Sequence, residues 1–163
     1  MVFLISDFCF LFGSSTAPES CIDGVLEAIE DCYTKHGIRT FVVGHYGSFD
    51  RIATHALTLL KARHEDVNLL LLIPYHPSIR PVEPHQGFQT YYPDGQETAI
   101  PKFAITAANN KMIKECSVAV CYPHGVTNSR KMYEKVLKRN IPVYNAKEIC
   151  EYSKTATLCA VGR

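Results

Sequence analysis

The stretch Gly44-His45-Tyr46-Gly47-Ser48-Phe49-Asp50 gathers two glycines, an imidazole, two hydroxyls and a carboxylate between an apolar run, Thr40 to Val43, and a helical pattern. A loop of this composition at a helix start suits an anion, because first-turn N–H groups lack partners and the helix dipole favours negative charge. Gly44 lets the chain turn sharply off a strand, Gly47 permits close backbone approach, and Ser48 serves as an N-cap with a hydroxyl to spare. The stretch is neither a Walker loop nor a G-x-G-x-x-G fingerprint, since the Gly-Lys-Ser/Thr ending and the third glycine spacing are missing. A simpler reading gives the glycines to turn geometry and Asp50 to the first turn of its helix.

Two other loops share this character. One is Gly13-Ser14-Ser15-Thr16-Ala17-Pro18, with Gly13 and Ser14 as candidate contacts. The other is Pro123-His124-Gly125-Val126-Thr127-Asn128-Ser129, where His124, Gly125, Thr127, Asn128 and Ser129 are candidates. Arg130 follows in the first turn of a helix, where the dipole opposes a cation, and an anion held between it and the loop would remove the conflict. Tyr75, Tyr91, Tyr92 and Tyr122 fall near the same edge, placed either to stack on a base or to pack on their own domain. His45, His76 and His124 each follow a strand, an arrangement open to a divalent ion. No carboxylate or cysteine spacing completes such a set, so no metal and no cofactor is expected. Asp50 with Glu97 or Glu134 forms a conceivable acid/base pair, against the alternative of helix-start and surface charge.

The elements that must position these residues alternate along the chain. Residues 8–12 read as a strand, and residues 20–36 as a helix with Ile22, Val25, Leu26, Ile29 and Cys32 on one face, ended by Gly37. Residues 40–43 and 68–73 read as strands around a helix that reaches Arg63, and the unbroken apolarity of the latter implies burial on both faces. Pro74 to Pro101 holds six prolines and two glycines and reads as one long irregular loop, a lid over the site. A helix at 102–115, a strand at 117–122, a helix at 129–140 and a short strand at 142–144 complete the pattern. The tail from 146 to 163 adds a helical turn and frayed final residues. This order implies a single α/β domain over residues 1–163, a Rossmann-like doubly wound, mainly parallel sheet of about five strands. Right-handed crossovers then bring the strand-to-helix loops to one edge.

Bulk properties narrow the partners. The 163 residues carry a formal net charge of +1, with 47% hydrophobic and 20% charged residues, which suits one soluble globular domain and supplies no basic field for nucleic acid. The seven cysteines are odd in number and lack any Cys-x-x-Cys pair, which argues for buried thiols in a reducing cytoplasm. The apolar opening through residue 13 includes Asp7 and has no basic flank, so a buried strand explains it better than a leader or a membrane span.

The segments FVVGHYGSFDRIA (41–53), LLLLIPYHP (69–77), IPKFAITAANNKMI (100–113) and SVAVCYPHGVTNSRKMYEKVLKRNIPVYN (117–145) together resemble the SLOG superfamily. That superfamily is named for the DprA/Smf and Lonely guy proteins, and the likeness is to its small, stand-alone YpsA-like members from bacteria or phages. The resemblance implies a Rossmann-like fold that binds nucleotides or nucleotide-derived signals, including ADP-ribose-like and cyclic nucleotide molecules in anti-phage defence or counter-defence. It places Gly44, Gly47, Ser48, Phe49 and Asp50 in the first motif, Asn109 in the helix that in relatives reads Arg-Arg-Asn, and Gly125, Thr127, Asn128 and Ser129 in the last loop. Ala107 and Ala108 stand where those relatives carry a basic pair, and Arg130 and Lys131 stand where Lonely guy hydrolases carry acids. A base there does not stabilise an oxocarbenium-like transition state as a carboxylate would.

These readings converge on a cytoplasmic protein that binds a nucleotide-derived small molecule as a sensor or sequestering protein, without catalysis. The alternative is a nucleoside-monophosphate phosphoribohydrolase or related N-glycosidase using Asp50 or Glu134. A DNA-handling role is disfavoured by charge. Apolar helix positions Met112, Ile113, Met132 and Val136 admit a homodimer or larger homo-oligomer.

Overall fold

A computed structural model describes the backbone of residues 7–161 and the side chains of residues 7–154. The apolar residues 1–6 and the frayed end expected at 162–163 lie outside the described residues. Six strands form one all-parallel sheet: β1 (Cys9–Gly13), β2 (Thr40–Val43), β3 (Asn68–Leu72), β4 (Phe88–Tyr91), β5 (Val118–Tyr122) and β6 (Val143–Asn145). Their order is β4-β3-β2-β1-β5-β6. Helices α1 (Ile22–His36), α2 (Ser48–Arg63) and α5 (Ala146–Val161) contribute to the core on one face of the sheet, and α3 (Ala104–Glu115) and α4 (Asn128–Leu137) to the core on the other. The expected Rossmann-like doubly wound fold is present, with one strand more than anticipated.

Alternation along each strand shows why the runs are apolar throughout. Cys9 and Leu11 of β1 and Leu69 and Leu71 of β3 join the core under α1, α2 and α5. Phe10 and Phe12, with Leu70 and Leu72, join the core under α3 and α4. A strand covered on both faces has no position left for a polar side chain.

Two segments differ from the reading above. The stretch between Pro74 and Pro101 is not wholly irregular: it contains edge strand β4, paired in parallel with β3, and 3-10 turns at Gln96–Thr98 and Pro101–Phe103. The sequence Phe-Gln-Thr-Tyr carries too little apolar signal to announce a strand, because only Phe88 of the four is buried. The tail forms not a turn but the 16-residue α5. Its start carries a cap, since Asn145 Oδ1 accepts the Glu148 N–H at 3.1 Å.

Met112, Ile113 and Val136 are buried in the core under α3 and α4, and Met132 packs partly buried against them. Those apolar faces are spent on the chain's own sheet, so they do not offer the oligomer contact that the sequence suggested. No helix among the described residues is long and apolar enough to cross a membrane. The six described cysteines are free and buried.

Candidate functional site

Strand order reverses at β1: the chain runs outward from β1 through β2, β3 and β4, then returns by α3 to place β5 on the other side of β1. At such a point the loops leaving neighbouring strands diverge to opposite faces and open a crevice at the carboxyl edge of the sheet. A cleft of about 280 Å³ occupies that position. Its apolar floor comes from Phe10, Leu11, Phe12 and Leu72, its side wall from Pro74, Ile105, Ala108 and Met132. Its polar rim comes from Gly13, Ser14, Ser15, Gly44, Tyr46, Asp50, Asn109, Thr127, Asn128 and Ser129.

The Gly44–Asp50 loop is locked onto the end of β1 and the loop after it by two contacts that tolerate no extra atom, and onto itself by a third. A Cβ on Gly13 would lie 2.5 Å from Phe49 Cγ, one on Gly47 would lie 3.0 Å from Ser15 Cα, and one on Gly44 would lie 2.8 Å from Asp50 Oδ2. Gly47 also adopts φ 91, a left-handed conformation that glycine adopts without steric cost. Asp50 closes the loop on itself by accepting the Tyr46 N–H at Oδ2, at 2.9 Å.

This packing changes the roles expected of the first motif. The Ser48 and Phe49 N–H groups donate to the carbonyls of Ser15 and Ser14, both at 3.3 Å, and the Ser48 hydroxyl donates to the Ala17 carbonyl. Of the backbone donors expected to meet a phosphate, that of Ser48 therefore holds the two loops together instead. Phe49 is fully buried and backs the cleft from the core.

The start of α4 is different. Thr127 Oγ1 donates to the His124 carbonyl at 2.6 Å, and Ser129 Oγ lies 2.7 Å from Thr127 Oγ1 while accepting the His124 N–H at 3.4 Å. Thr127's carbonyl receives the Arg130 and Lys131 amides. The Asn128 and Ser129 amides have no acceptor among the described residues, and both residues line the cleft. At the cleft, the start of α4 thus keeps two free donors side by side.

Burial pushes the Asp50 carboxyl up to about 7, against the opposing pull of the Tyr46 N–H. Near neutral pH it is thus present in both forms, able to accept or to donate a hydrogen bond. Among the described residues no lysine or arginine lines the cleft, so negative charge there would rest on amides, hydroxyls and the α4 dipole.

Other expected residues lie elsewhere. Arg130 points along α4 toward Glu134, 3.9 Å away, and the two side chains are more than half exposed. Neither lines the cleft, so Glu134 and Asp50 do not share a cavity. His124 and Gly125 sit on the exposed loop outside it. Tyr75 lies under the Arg80 guanidinium, 4.0 Å from its ring centre, and donates to the Pro101 carbonyl. Tyr91 packs on the core under α3 and α4, and Tyr92 meets His76 edge-on at 5.4 Å. The tyrosine that lines the cleft is Tyr46, which the sequence reading passed over although it lies inside the same motif.

Gln96 was also missed. Its buried amide donates to the carbonyls of Pro74, at 3.1 Å, and Ala104, at 2.6 Å, and so ties the exit of β3 to the start of α3. No sequence rule marks a glutamine in a proline-rich stretch as buried.

A second, shallower hollow of about 770 Å³ lies on the outer side of the Gly47 loop, lined by Ser15, His45, Gly47, Ser48, Asp50, Arg51, Thr54, His55, Thr58, His85 and Gln86. Among the described residues no group of three or more His, Cys, Asp or Glu side chains is placed to hold a metal ion.

Fold and cleft define a doubly wound α/β protein with a ligand-sized crevice at its switch point. Comparison of the sequence with protein-family models and with curated proteins finds no match.

Proposed function

We propose that the protein binds a nucleotide-derived small molecule in the switch-point cleft and acts as a sensor or sequestering protein rather than as a catalyst. The observation that carries this reading is the pairing, across one cleft, of two unsatisfied α4 amides with the Asp50 carboxyl, over an apolar floor. Amides at a helix start suit a phosphate, a carboxyl suits ribose hydroxyls, and an apolar wall beside an exposed tyrosine suits a base. The resemblance to SLOG proteins supports the same ligand class. Asn109, which lines the cleft, then meets the ligand from α3.

A thermal-shift screen against nucleotides, ADP-ribose and cyclic nucleotides, with mass spectrometry of each mixture, tests the reading. A ligand at a hundredfold excess over its dissociation constant adds about 2.7 kcal/mol of stability. Stabilisation with the compound recovered intact supports binding without chemistry; no shift with any compound removes the proposal.

The raised Asp50 carboxyl favours one second reading, an N-glycosidase in which Asp50 protonates the leaving base. Glu134 has no part in it, being outside the cleft. Consumption of a nucleotide by pure protein, abolished in Asp50→Asn, would establish that reading in place of the first.

A further inference from the structure

The overall charge of +1 conceals a segregation. Residues 102–139, which carry α3 and α4, hold eight of the 17 lysines and arginines but only two of the 16 acids. Ion pairs follow the same divide among the described residues. Four of the five lysines and arginines in residues 19–66 meet an acid: Lys35 meets Asp31, Arg39 Asp66, Arg51 Glu19 and Arg63 Glu30, all within 3.2 Å. On α3 and α4 only Arg130 approaches one, Glu134 at 3.9 Å. Three other cations of this segment are engaged within the fold. Arg139 donates to the carbonyls of Ile113 and Cys116, at 2.8 and 2.6 Å, Lys111 donates to that of Asp94, and Lys102 lies over the Phe103 ring. Lys114, Lys131, Lys135 and Lys138 remain, exposed and without an ion pair among the described residues.

Position links these four. Lys135 Nζ donates to Asn110 Oδ1 of α3 at 3.0 Å and Arg139 reaches the end of α3, so the two helices lie side by side and run the same way. Lys131, Lys135 and Lys138, at i, i+4 and i+7, form one stripe of α4, and Lys114 stands one turn beyond Asn110. The four therefore flank the seam between α3 and α4. Helix dipoles account for a base near the end of each helix, as at Lys114 and Lys138, but they oppose Lys131 near the start of α4.

A seam between two packed helices seats a third, and the side chains along it decide which kind. Tyr133, the one aromatic residue of α3 and α4, is half-buried, so a single-stranded nucleic acid has no ring there to stack on. A uniformly negative bilayer would meet the exposed Glu115 and Glu134 along with the lysines. We infer that the α3–α4 seam docks a protein partner through an acidic helix, whose carboxylates form a single stripe matching Lys131, Lys135 and Lys138. None of the four lysines lines the cleft, so the inference is independent of what the cleft binds.

Two labelled, alanine-based helical peptides test it, one with glutamates in a single i, i+4, i+7 stripe and one of the same composition with its glutamates spread around the helix. Fluorescence anisotropy at low salt is expected to show the striped peptide binding the wild type at least tenfold tighter than its isomer, and more weakly as salt rises. Lys131→Glu/Lys135→Glu/Lys138→Glu is expected to lose that binding. Lys35→Glu/Lys147→Glu/Lys154→Glu, an equal change of net charge elsewhere, is expected to keep it. Thermal melts verify that both variants are folded. The proposal is overturned if the two peptides bind alike, if neither binds, or if both variants lose binding equally. It is overturned as well if an oligonucleotide or phosphatidylserine vesicles bind this face and the striped peptide does not. Self-association at low salt that the first variant abolishes and the peptide fails to displace would give the seam to a second copy of the chain instead.

Discussion

The Asp50 carboxylate accepts the amide proton of Tyr46 at 2.9 Å, so one side chain both closes the loop that carries it and lines the cleft that the loop borders. The same oxygen, Oδ2, would lie 2.8 Å from a Cβ on Gly44, so the carboxylate fills space that only a glycine at position 44 leaves open.

That enclosure gives stability a distinct pH dependence. The folded chain holds the Asp50 proton up to about 7, whereas the ordinary value is 3.8. Between those values the folded state binds more protons than the unfolded one, so this group's contribution falls as pH rises across the window. Urea unfolding of wild type and Asp50→Asn at pH 5 and pH 8 reads the difference. The variant, lacking the group, is expected to gain stability relative to wild type on going to pH 8, and an unchanged difference would contradict the burial argument.

Gly13→Ala drives a methyl group into the ring of Phe49, at 2.5 Å from Cγ. Phe49 is fully buried and cannot rotate away, so the start of α2 must move. Overpacking of this kind costs about 1–3 kcal/mol. Chemical denaturation measures the loss, and ligand titration shows whether the displaced rim still binds.

Gln96→Leu keeps the volume and removes both amide bonds, leaving the Pro74 and Ala104 carbonyls without that donor. Unsatisfied buried groups cost roughly 1–3 kcal/mol each. We expect a lower unfolding midpoint together with faster amide exchange in the first turn of α3, because the tie between β3 and α3 is cut. Exchange unchanged at α3 would show that the tie is not what holds it.

Gly24→Ala tests the docking of α5, since the added Cβ would sit 2.6 Å from Cys150 Sγ and 2.9 Å from the Ala146 carbonyl. The methyl meets backbone as well as a side chain, so α1 and α5 must separate. A destabilisation of about 1–3 kcal/mol is expected, with the cleft unaffected because neither helix lines it. Equal loss of ligand affinity would contradict that independence.

The α4 start is tested by Ser129→Ala, which removes the hydroxyl that accepts the His124 amide and meets Thr127 Oγ1. A nucleotide held by the Asn128 and Ser129 amides should bind several-fold more weakly as the loop loosens, while the melting temperature changes little. An unchanged affinity would place the phosphate elsewhere.

Local signals in the sequence determined most of the architecture. Continuous apolar runs marked β1, β2, β3 and β5, the amphipathic stripe and the Gly37 stop marked α1, and the βα alternation marked a parallel sheet with its loops at one edge. Gly13, Ser14, Gly44, Asp50, Asn109, Thr127, Asn128 and Ser129, all legible as candidates, do meet around one cleft. Tertiary structure alone decided what each of them has to spare. Whether an amide at a helix start is free depends on which carbonyl another loop brings to it, and Ser14 and Ser15 reach the start of α2 while nothing equivalent reaches α4. Whether a tyrosine faces a ligand depends on packing, which gave the cleft Tyr46 and withheld Tyr75, Tyr91 and Tyr92. Strand β4 and buried Gln96 escaped notice for the same reason: an edge strand pairs on one side only and a buried amide is defined by distant carbonyls, so neither leaves a periodic trace in the residues around it.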